Sequence, residues 1–396
     1  MGLVLIVVLG ALSGLGPLSI DMYLPAFPAL VDDFGVGPAT VQATLTAYTV
    51  GLAVGQLLAG PLSDSLGRRR PLLVGLIVFA LAGAGAAVAP TIEAVIVLRL
   101  VQGLGAAAGI VIARAIVRDV CSGAAMNRLF SLLLLVNGLA PIIGPVVGGQ
   151  ILRVTTWRGT FVALSATGLV LLVLIVVTFS ETLPPDRRIR GGPRATVAAF
   201  RILLTDVRFV GLALTSALPF ASLFAYIAGS TFVLQQVFGL SPQQFALVFG
   251  LNSLGTLIAG GVNSLMARWM STETLLLASL SLLAAGGVGV LVAAIAGGGL
   301  TTVVVSLFLV TSSIGVVFPA ATTLALDTQR ERAGSASAFL GTLQFLIGGA
   351  AAPLVGSVGV TSALPMGLVI AASAVLSLAV GVVTILAVHR RDSRPS

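Results

Sequence analysis

The amino-acid sequence predicts an all-α integral membrane protein with twelve transmembrane helices in two six-helix halves. Of its 396 residues, 57% are hydrophobic and only 9% are charged, whereas soluble domains carry about 25% charged residues. Apolar segments recur along the chain, and each is long enough to cross a bilayer as a helix. The predicted spans are residues 3–27, 39–62, 71–90, 93–117, 127–151, 159–180, 207–233, 242–266, 273–296, 299–324, 334–357 and 364–388.

A polar segment separates the sixth span from the seventh. It contains prolines, glycines and eight charged residues, which is typical of a solvated linker. The charged residues are Glu181, Asp186, Arg187, Arg188, Arg190, Arg194, Arg201 and Asp206. We therefore expect an N-terminal half at 1–180, a cytoplasmic linker at 181–206, a C-terminal half at 207–388 and a cytoplasmic tail at 389–396. This layout is typical of transporters built from parallel repeats.

The arginines predict the orientation, because cytoplasmic loops of membrane proteins carry an excess of positive charge. With the N-terminus inside, the inside loops and tail hold Arg68, Arg69, Arg70, Arg118, Arg128, Arg187, Arg188, Arg190, Arg194, Arg201, Arg208, Arg268, Arg330, Arg332, Arg390, Arg391 and Arg394. The outside loops hold only Arg153 and Arg158, while Arg99 and Arg114 fall within a span. Both termini are therefore expected in the cytoplasm.

Rare residue types exclude several classes of function. The chain has no Lys, and its single His is His389 in the predicted tail. A phosphate-binding loop needs a Lys, and a Ser-His-Asp triad or a His-based metal site inside the membrane needs a His there. Cys121 is the single Cys, so no intramolecular disulfide is possible. We expect a protein that is not an enzyme, holds no metal and binds no nucleic acid, since topology explains its arginines.

The string GPLSDSLGRRRP, residues 60–71, lies in the loop between spans two and three. Its glycines permit a tight turn and close backbone approach, and an aspartate precedes three arginines. We predict a conformational latch that breaks and re-forms as the cytoplasmic mouth opens, formed by Gly60, Asp64, Gly67, Arg68 and Arg69. The alternative is an inside loop whose arginines serve only orientation.

Two charged side chains lie inside predicted spans at similar depth. Asp21 lies roughly 27 Å and Arg99 roughly 21 Å from the inner face, at 1.5 Å per residue in a ~30 Å core. Charged residues inside a membrane are costly and usually functional, and these two could approach each other directly or through water. The alternatives are an Asp that caps a helix turn and an Arg that extends to the outer interface.

Span five contains the string NGLAPIIGPVVGG, residues 137–149. Small residues leave one face of the helix without bulky side chains and so allow close helix packing, and prolines bend a helix. The residues in question are Gly138, Pro141, Gly144, Pro145, Gly148 and Gly149. Ordinary small-residue packing is the alternative.

Five further residues are candidates for lining a substrate cavity: Tyr23, Gln102, Phe220, Tyr226 and Asn252. Aromatic rings stack on lipophilic molecules and amides fix their polar groups. For any one aromatic residue, a lipid-facing or interfacial position is the alternative.

These strings resemble motifs of the major facilitator superfamily. The loop at 60–71 resembles its signature loop, although the family usually has Arg directly after the Asp and this chain has Ser65. LRLVQGLGAA, residues 98–107, resembles the helix-four motif of proton-coupled members, and the string in span five resembles the helix-five motif of antiporters. SIDMYLP, ARAIVRD and FAYIAGSTFVLQQVFGLSPQQFALVFGLN resemble the Bcr/CflA group of drug exporters.

The resemblance implies a major facilitator fold in the bacterial inner membrane. It further implies proton-driven antiport that exports small lipophilic drugs similar to chloramphenicol or bicyclomycin, with the proton gradient as energy source and no cofactor. Asp21 would then carry the coupling proton, with Arg99 beside it. The alternative is a dedicated exporter of one endogenous metabolite or self-made antibiotic. We expect the lipid bilayer, protons and one small molecule as partners, and a monomer.

Overall fold

A computed structural model describes residues 3–121, 123–188, 200–329, 333–357 and 362–392. Within these ranges every regular element is a helix. The helices are α1 (Leu3–Asp21), α2 (Phe27–Phe34), α3 (Pro38–Leu66), α4 (Arg69–Ala87), α5 (Ile92–Val120), α6 (Gly123–Val154), α7 (Arg158–Thr178), α8 (Val207–Phe232), α9 (Pro242–Met266), α10 (Thr272–Ile295), α11 (Leu300–Asp327), α12 (Ala333–Gly356) and α13 (Leu364–Asp392).

Twelve of the described segments are long and apolar enough to cross a membrane, as predicted. The first span, Leu5–Phe34, comprises α1 and α2 and is longer than the predicted 3–27. Each later span is one helix from α3 to α13, although a short π-helical segment (Val233–Val237) extends α8. The helix α13 continues to Asp392, beyond the predicted start of the tail at residue 389.

Parts of the predicted linker and tail lie outside the described residues. These are residues 189–199 of the linker and residues 393–396 of the tail. The predicted inside arginines Arg190, Arg194, Arg330, Arg332 and Arg394 also lie outside the described residues. At the other end of the linker, the Asp206 carboxylate accepts hydrogen bonds from the backbone N–H groups of Arg208 and Phe209, and so caps α8.

The chain divides into two compact units. Unit 1 is Met1–Pro193 together with Ser241–Gly250, and unit 2 is Arg194–Leu240 together with Leu251–Ser396. In unit 1, α5 packs against α3 and α4, and α1 packs against α6. In unit 2, α8 packs against α12 and α13, and α10 packs against α11 and α13.

Two glycines of the string LRLVQGLGAA explain why α5 occupies the centre of unit 1. A Cβ atom on Gly105 would lie 2.6 Å from the carbonyl oxygen of Gly75 in α4, and one on Gly103 would collide with the carbonyl of Tyr48 in α3. Only glycine lets two backbones approach this closely. The glycines therefore allow α3 and α4 to pack directly on α5, the helix that carries Arg99.

Candidate functional site

The predicted carboxylate lies at a break in the first span. α1 ends at Asp21, and a 3-10 turn (Leu24–Ala26) leads into α2. Pro25 has no N–H to donate to the carbonyl of Asp21 four residues earlier, so the α-helical pattern cannot continue. Asp21 exposes only 3% of its surface. Transporters commonly bind substrates and ions at such discontinuities in a spanning helix.

The predicted helix-five motif packs directly against this break. A Cβ atom on Gly144 would lie 3.0 Å from the Cβ atom of Asp21, and one on Gly148 would collide with the carbonyl of Met22. Pro141 and Pro145 lie inside α6 without ending it. The small residues of α6 thus bring its backbone against the carboxylate-bearing segment of α1, a contact that larger residues would prevent.

Arg99 is fully buried and held by polar and aromatic groups of unit 1. Its Nη1 donates to Oε1 of Gln102 at 2.8 Å, and its Nη2 donates to the carbonyl oxygen of Ser19 at 3.0 Å. The rings of Tyr48 and Tyr23 lie 4.0 Å and 4.3 Å from its Cζ, within the range of cation–π contacts. We call Ser19, Tyr23, Tyr48 and Gln102 the Arg99 cage.

The two tyrosines of the cage are themselves fixed by hydrogen bonds. The Tyr48 hydroxyl donates to the carbonyl of Gly16 at 3.2 Å, and the Tyr23 hydroxyl shares a 3.1 Å hydrogen bond with Thr44. The Tyr23 ring also lies 5.5 Å from the ring of Phe161. Tyr23 and Gln102, predicted as cavity residues, therefore hold Arg99 in this structure, and their contact with a substrate stays a prediction.

Asp21 and Arg99 approach each other without forming an ion pair. The described ion pairs join Arg68 to Asp64, Arg68 to Asp119 and Arg158 to Asp33. Arg99 instead binds the main chain of Ser19, two residues before Asp21. The structure thus brings the two predicted residues into one region, with the guanidinium committed to neutral partners.

The candidates in unit 2 form two clusters along α8. Phe220 is half-buried and stacks on Phe318 with ring centroids 4.3 Å apart, beside Phe345 at 5.8 Å. Further along the helix, Asn252 of α9 donates from Nδ2 to the Tyr226 hydroxyl at 3.2 Å, and both residues are buried. One cluster is aromatic and the other polar.

The predicted latch is a charge cluster centred on Arg68. Its Nη1 binds Asp64 and, at 2.9 Å, the hydroxyl of Ser63, while its Nε donates to Oδ2 of Asp119 at 2.8 Å. Although burial disfavours the charged form, the hydrogen bonds that Arg68 donates to the carboxylates of Asp119 and Asp64 raise the pKa of Arg68 above its ordinary value. Arg68 therefore ties the end of α3 to the end of α5 and supplies the cation that Ser65 cannot.

Glu181 closes the same cluster from the end of α7. Its carboxylate accepts the backbone N–H groups of Arg68 at 2.8 Å, Arg69 at 3.1 Å and Leu183 at 3.0 Å. Partial burial opposes ionisation, but these three donors and the nearby Arg188 hold the pKa of Glu181 below its ordinary value. The predicted linker thus begins with a residue that caps α4.

The remaining latch residues differ in what they contribute. Gly67 has φ +91°, which favours glycine, and a Cβ atom there would collide with the Glu181 carboxylate. Arg69 donates from Nη2 to the carbonyl of Val176 at 2.9 Å. Gly60 makes no close approach, because a Cβ atom there would meet only Val111, at 4.0 Å. The predicted close packing at Gly60 is therefore wrong, because a side chain there would make only an ordinary van der Waals contact with Val111.

A family model described as the Major Facilitator Superfamily matches residues 9–353. The chain belongs to the major facilitator superfamily. It is 40% identical to an uncharacterized MFS-type transporter, YdgK, of Bacillus subtilis, and this match covers 94% of the chain and 93% of the relative. It is 30% identical to a bicyclomycin resistance protein homolog of Haemophilus influenzae, and this match covers 95% of the chain and 94% of the relative.

A solved major facilitator fold agrees with the helix arrangement. The crystal structure of a bacterial homolog to the human lysosomal transporter Spinster superposes with a TM-score of 0.73. The match covers 96% of both chains at 14% sequence identity, so it shows the fold alone.

Membership of the major facilitator superfamily confirms the predicted family, fold class and location. The protein is a transporter and not an enzyme, and it is a multi-pass protein of a bacterial membrane. The resemblance to Bcr/CflA-type drug transporters agrees with the bicyclomycin resistance homolog among the relatives. The predicted roles of individual residues in this transporter stay predictions.

Asp119, Glu181 and Tyr48 are among the residues of the site that were not predicted from the sequence. Asp119 ends the string ARAIVRD, where an acid at the inner end of a span could have indicated a partner for the arginine loop. Glu181 directly follows span six at the same predicted face, so it carried the same signal. Tyr48 carried none, because a Tyr in an apolar span usually serves packing.

Proposed function

We propose that this transporter is a proton-coupled antiporter that exports small lipophilic drugs or antibiotics, similar to chloramphenicol or bicyclomycin, by alternating access. The observation that carries this proposal is the burial of Asp21 at the break between α1 and α2. Among the described ion pairs, none involves Asp21. Its carboxyl group can therefore gain or lose a proton without first breaking an ion pair.

Arg99 supplies a fixed positive charge near the titrating group. An arginine stays protonated in proteins, and the Arg99 cage holds its guanidinium at the Ser19 carbonyl. The Ser19 carbonyl that Arg99 binds is two residues from Asp21, and a positive charge in this region favours the ionised carboxylate. When Asp21 is protonated, Arg99 keeps its hydrogen bonds to Ser19 and Gln102 and its contacts with the rings of Tyr23 and Tyr48, all of which are neutral partners.

The packing of α6 connects the carboxyl group to a conformational change. Gly144 and Gly148 place the α6 backbone on Asp21 and Met22, so a shift of α6 changes the surroundings of the carboxyl group. The Arg68 latch provides a set of ion pairs that break and re-form between two states. Protonation of Asp21 and binding of the drug then favour different states, which is the condition for exchange.

The relatives support a drug as cargo. The similarity to a bicyclomycin resistance protein homolog covers nearly the whole chain, and the half-buried aromatic cluster around Phe220 suits a lipophilic molecule. In this proposal the proton gradient replaces any cofactor, and the monomer is the working unit.

The test compares Asp21→Asn with Asp32→Asn, a matched substitution at an exposed residue of α2. Each variant is reconstituted into vesicles with an imposed proton gradient, and both drug flux and proton flux are followed. An amide cannot exchange a proton, so we expect Asp21→Asn to lose proton-driven flux and Asp32→Asn to retain it.

Undiminished proton-driven export by Asp21→Asn would overturn the coupling role. A second measurement addresses the cargo: drug susceptibility of a transporter-deficient host expressing the chain, with chloramphenicol and bicyclomycin, with and without a protonophore. Resistance that the protonophore abolishes supports the proposal. Absence of both resistance and drug efflux would favour the dedicated metabolite exporter.

A further inference from the structure

The spans of unit 2 contain no acidic or basic side chain away from their ends. From residue 209 to residue 388, the charged residues are Arg268, Glu273, Asp327, Arg330, Glu331 and Arg332. All six lie at predicted cytoplasmic ends of spans or in the loops that join them. Hydrogen bonding by a ligand inside these spans is therefore left to neutral groups.

Asn252 is a neutral polar group of this kind that lies deep inside a span. It is fully buried, and its Nδ2 donates to the Tyr226 hydroxyl. Its Oδ1 is buried and has no hydrogen-bond partner in the described part of the chain. An amide oxygen that is buried without a hydrogen-bond partner costs free energy. A native protein keeps such an oxygen where a ligand, a water molecule or an ion bonds to it, or where the site stores strain.

The backbone around Asn252 is fixed, which gives its side chain a defined position. Thr311 of α11 donates from Oγ1 to the Asn252 carbonyl at 3.0 Å. Thr256, one turn later in α9, donates from Oγ1 to the Thr311 carbonyl at 2.8 Å. These two bonds join α9 to α11 at Asn252 and one turn after it. The vacant acceptor is therefore held in place and does not rotate away with its helix.

A second vacant polar group lies beside Tyr226. Ser230 follows Tyr226 by four residues in α8, so the two side chains share a face one turn apart. Its hydroxyl is buried and, like Oδ1 of Asn252, has no partner among the described residues. Ser230 thus shares a face of α8 with Tyr226, the residue that Asn252 contacts, and its hydroxyl can make a further hydrogen bond.

We propose that Asn252, Tyr226 and Ser230 form a neutral subsite that binds a hydroxyl or amide N–H donor of the transported molecule. This inference rests on the proposed function for the existence of a drug-like cargo. The donor group of the transported molecule hydrogen-bonds to Oδ1 of Asn252. The bond from Nδ2 to the Tyr226 hydroxyl fixes the amide so that Oδ1 faces the ligand. With no carboxylate in these spans, a cationic group here would lack a counter-ion. The subsite therefore selects uncharged donors.

The test measures binding to the purified full chain in detergent, independently of transport. The probes are chloramphenicol, its derivative methylated at both hydroxyls and at the amide nitrogen, bicyclomycin and the cation phenylethylammonium. Methylation at all three positions removes every hydroxyl and amide N–H donor and leaves the buried acceptor without a partner, so we expect the wild type to bind the methylated derivative roughly tenfold more weakly than chloramphenicol. Asn252→Leu should lose this discrimination.

Asn263→Leu is the matched control. Asn263 lies in the same helix, about 16 Å further along, and its Oδ1 is also buried without a described partner. We expect this variant to discriminate as the wild type does. Asn252→Asp should bind phenylethylammonium at least tenfold more strongly than the wild type, because its carboxylate provides a counter-ion. A misfolded protein cannot produce this gain in affinity.

The outcomes separate this inference from the proposed function. Equal discrimination by the wild type and Asn252→Leu would overturn the subsite, as would binding of neither chloramphenicol nor bicyclomycin to the wild type. Flux is measured in parallel in vesicles. Proton-driven efflux without donor discrimination overturns the subsite alone, whereas donor discrimination without proton-driven efflux supports the subsite and overturns the coupling.

Discussion

Replacing Glu181 with Gln tests whether the carboxylate at the end of α7 holds the latch together. Its Oε1 accepts from the N–H groups of Arg68 and Leu183, and its Oε2 accepts from Arg69. Gln keeps one acceptor oxygen and presents an N–H₂ group to the remaining donor, so it loses one charged hydrogen bond and the favourable charge at the start of α4.

The size of the effect follows from the exposure of the group. A hydrogen bond to a charged group contributes about 1.5–3 kcal/mol, but Glu181 is exposed and solvent screens its charge, so we expect a loss of about 1 kcal/mol. That corresponds to about a fivefold change in the equilibrium constant of unfolding. The assay is unfolding in detergent micelles followed by circular dichroism at a series of pH values.

The pH dependence gives the sharper test. The pKa of Glu181 is lowered in the folded protein, so its stabilisation is present above the unfolded pKa, about 4.3. It is lost as the pH falls through the folded pKa. The difference between wild type and Glu181→Gln should therefore be full at pH 7 and disappear in strong acid. Glu93→Gln, at an exposed acid in the first turn of α5, is the control and should change stability by less than about 0.5 kcal/mol. Equal stability of Glu181→Gln and wild type at pH 7 would refute the capping role.

Two further substitutions test the latch and the helix-five contact. Arg68→Gln leaves Asp64 and Asp119 without their shared cation, so we expect a loss of about 1–2 kcal/mol in the free energy of unfolding, partly restored by adding Asp119→Asn; unchanged stability would contradict the ion-pair geometry. Gly148→Ala places a Cβ atom on the Met22 carbonyl, so we expect most drug efflux to be lost while membrane insertion persists. Gly60→Ala, which meets only Val111, is its control, and normal efflux by Gly148→Ala would show that α6 does not need this close approach.

The membrane makes most of the fold predictable from sequence. In lipid every backbone polar group must bond internally, so each long apolar segment becomes a helix. The predicted end of the first span at residue 27 was wrong, because α2 carries the helix on through Asp32 and Asp33. Polar residues do not end a helix by themselves, and α2 continues to Phe34, where Gly35 with φ +62° ends it. Gly35 was the signal for that boundary.

The candidate site was predictable in its residue types but not in its pairings. Counting residues along spans placed Asp21 and Arg99 at similar depth. Which acceptor Arg99 takes depends on the packing of Tyr23 and Tyr48 around it, and nothing in the local sequence specifies those distances. The same holds for Glu181, whose partners are backbone N–H groups more than a hundred residues earlier in the chain.

The distribution of charge gives the two proposals a common physical basis. Unit 1 holds the buried pair of ionisable residues, Asp21 and Arg99, whereas the spans of unit 2 carry only neutral polar groups away from their ends. A proton on Asp21 removes a charge from the membrane and needs no counter-ion, but a cationic substrate at Asn252 would need one and find none in the spans of unit 2. If the cargo is neutral, the proton on Asp21 is therefore the charge that is exchanged at the buried site. Asn252→Asp places an ionisable group in the spans of unit 2 and so disturbs the separation of charged from neutral sites. We therefore expect the variant that gains cation binding to change the number of protons moved per molecule exported. An unchanged ratio would show that the two sites are independent.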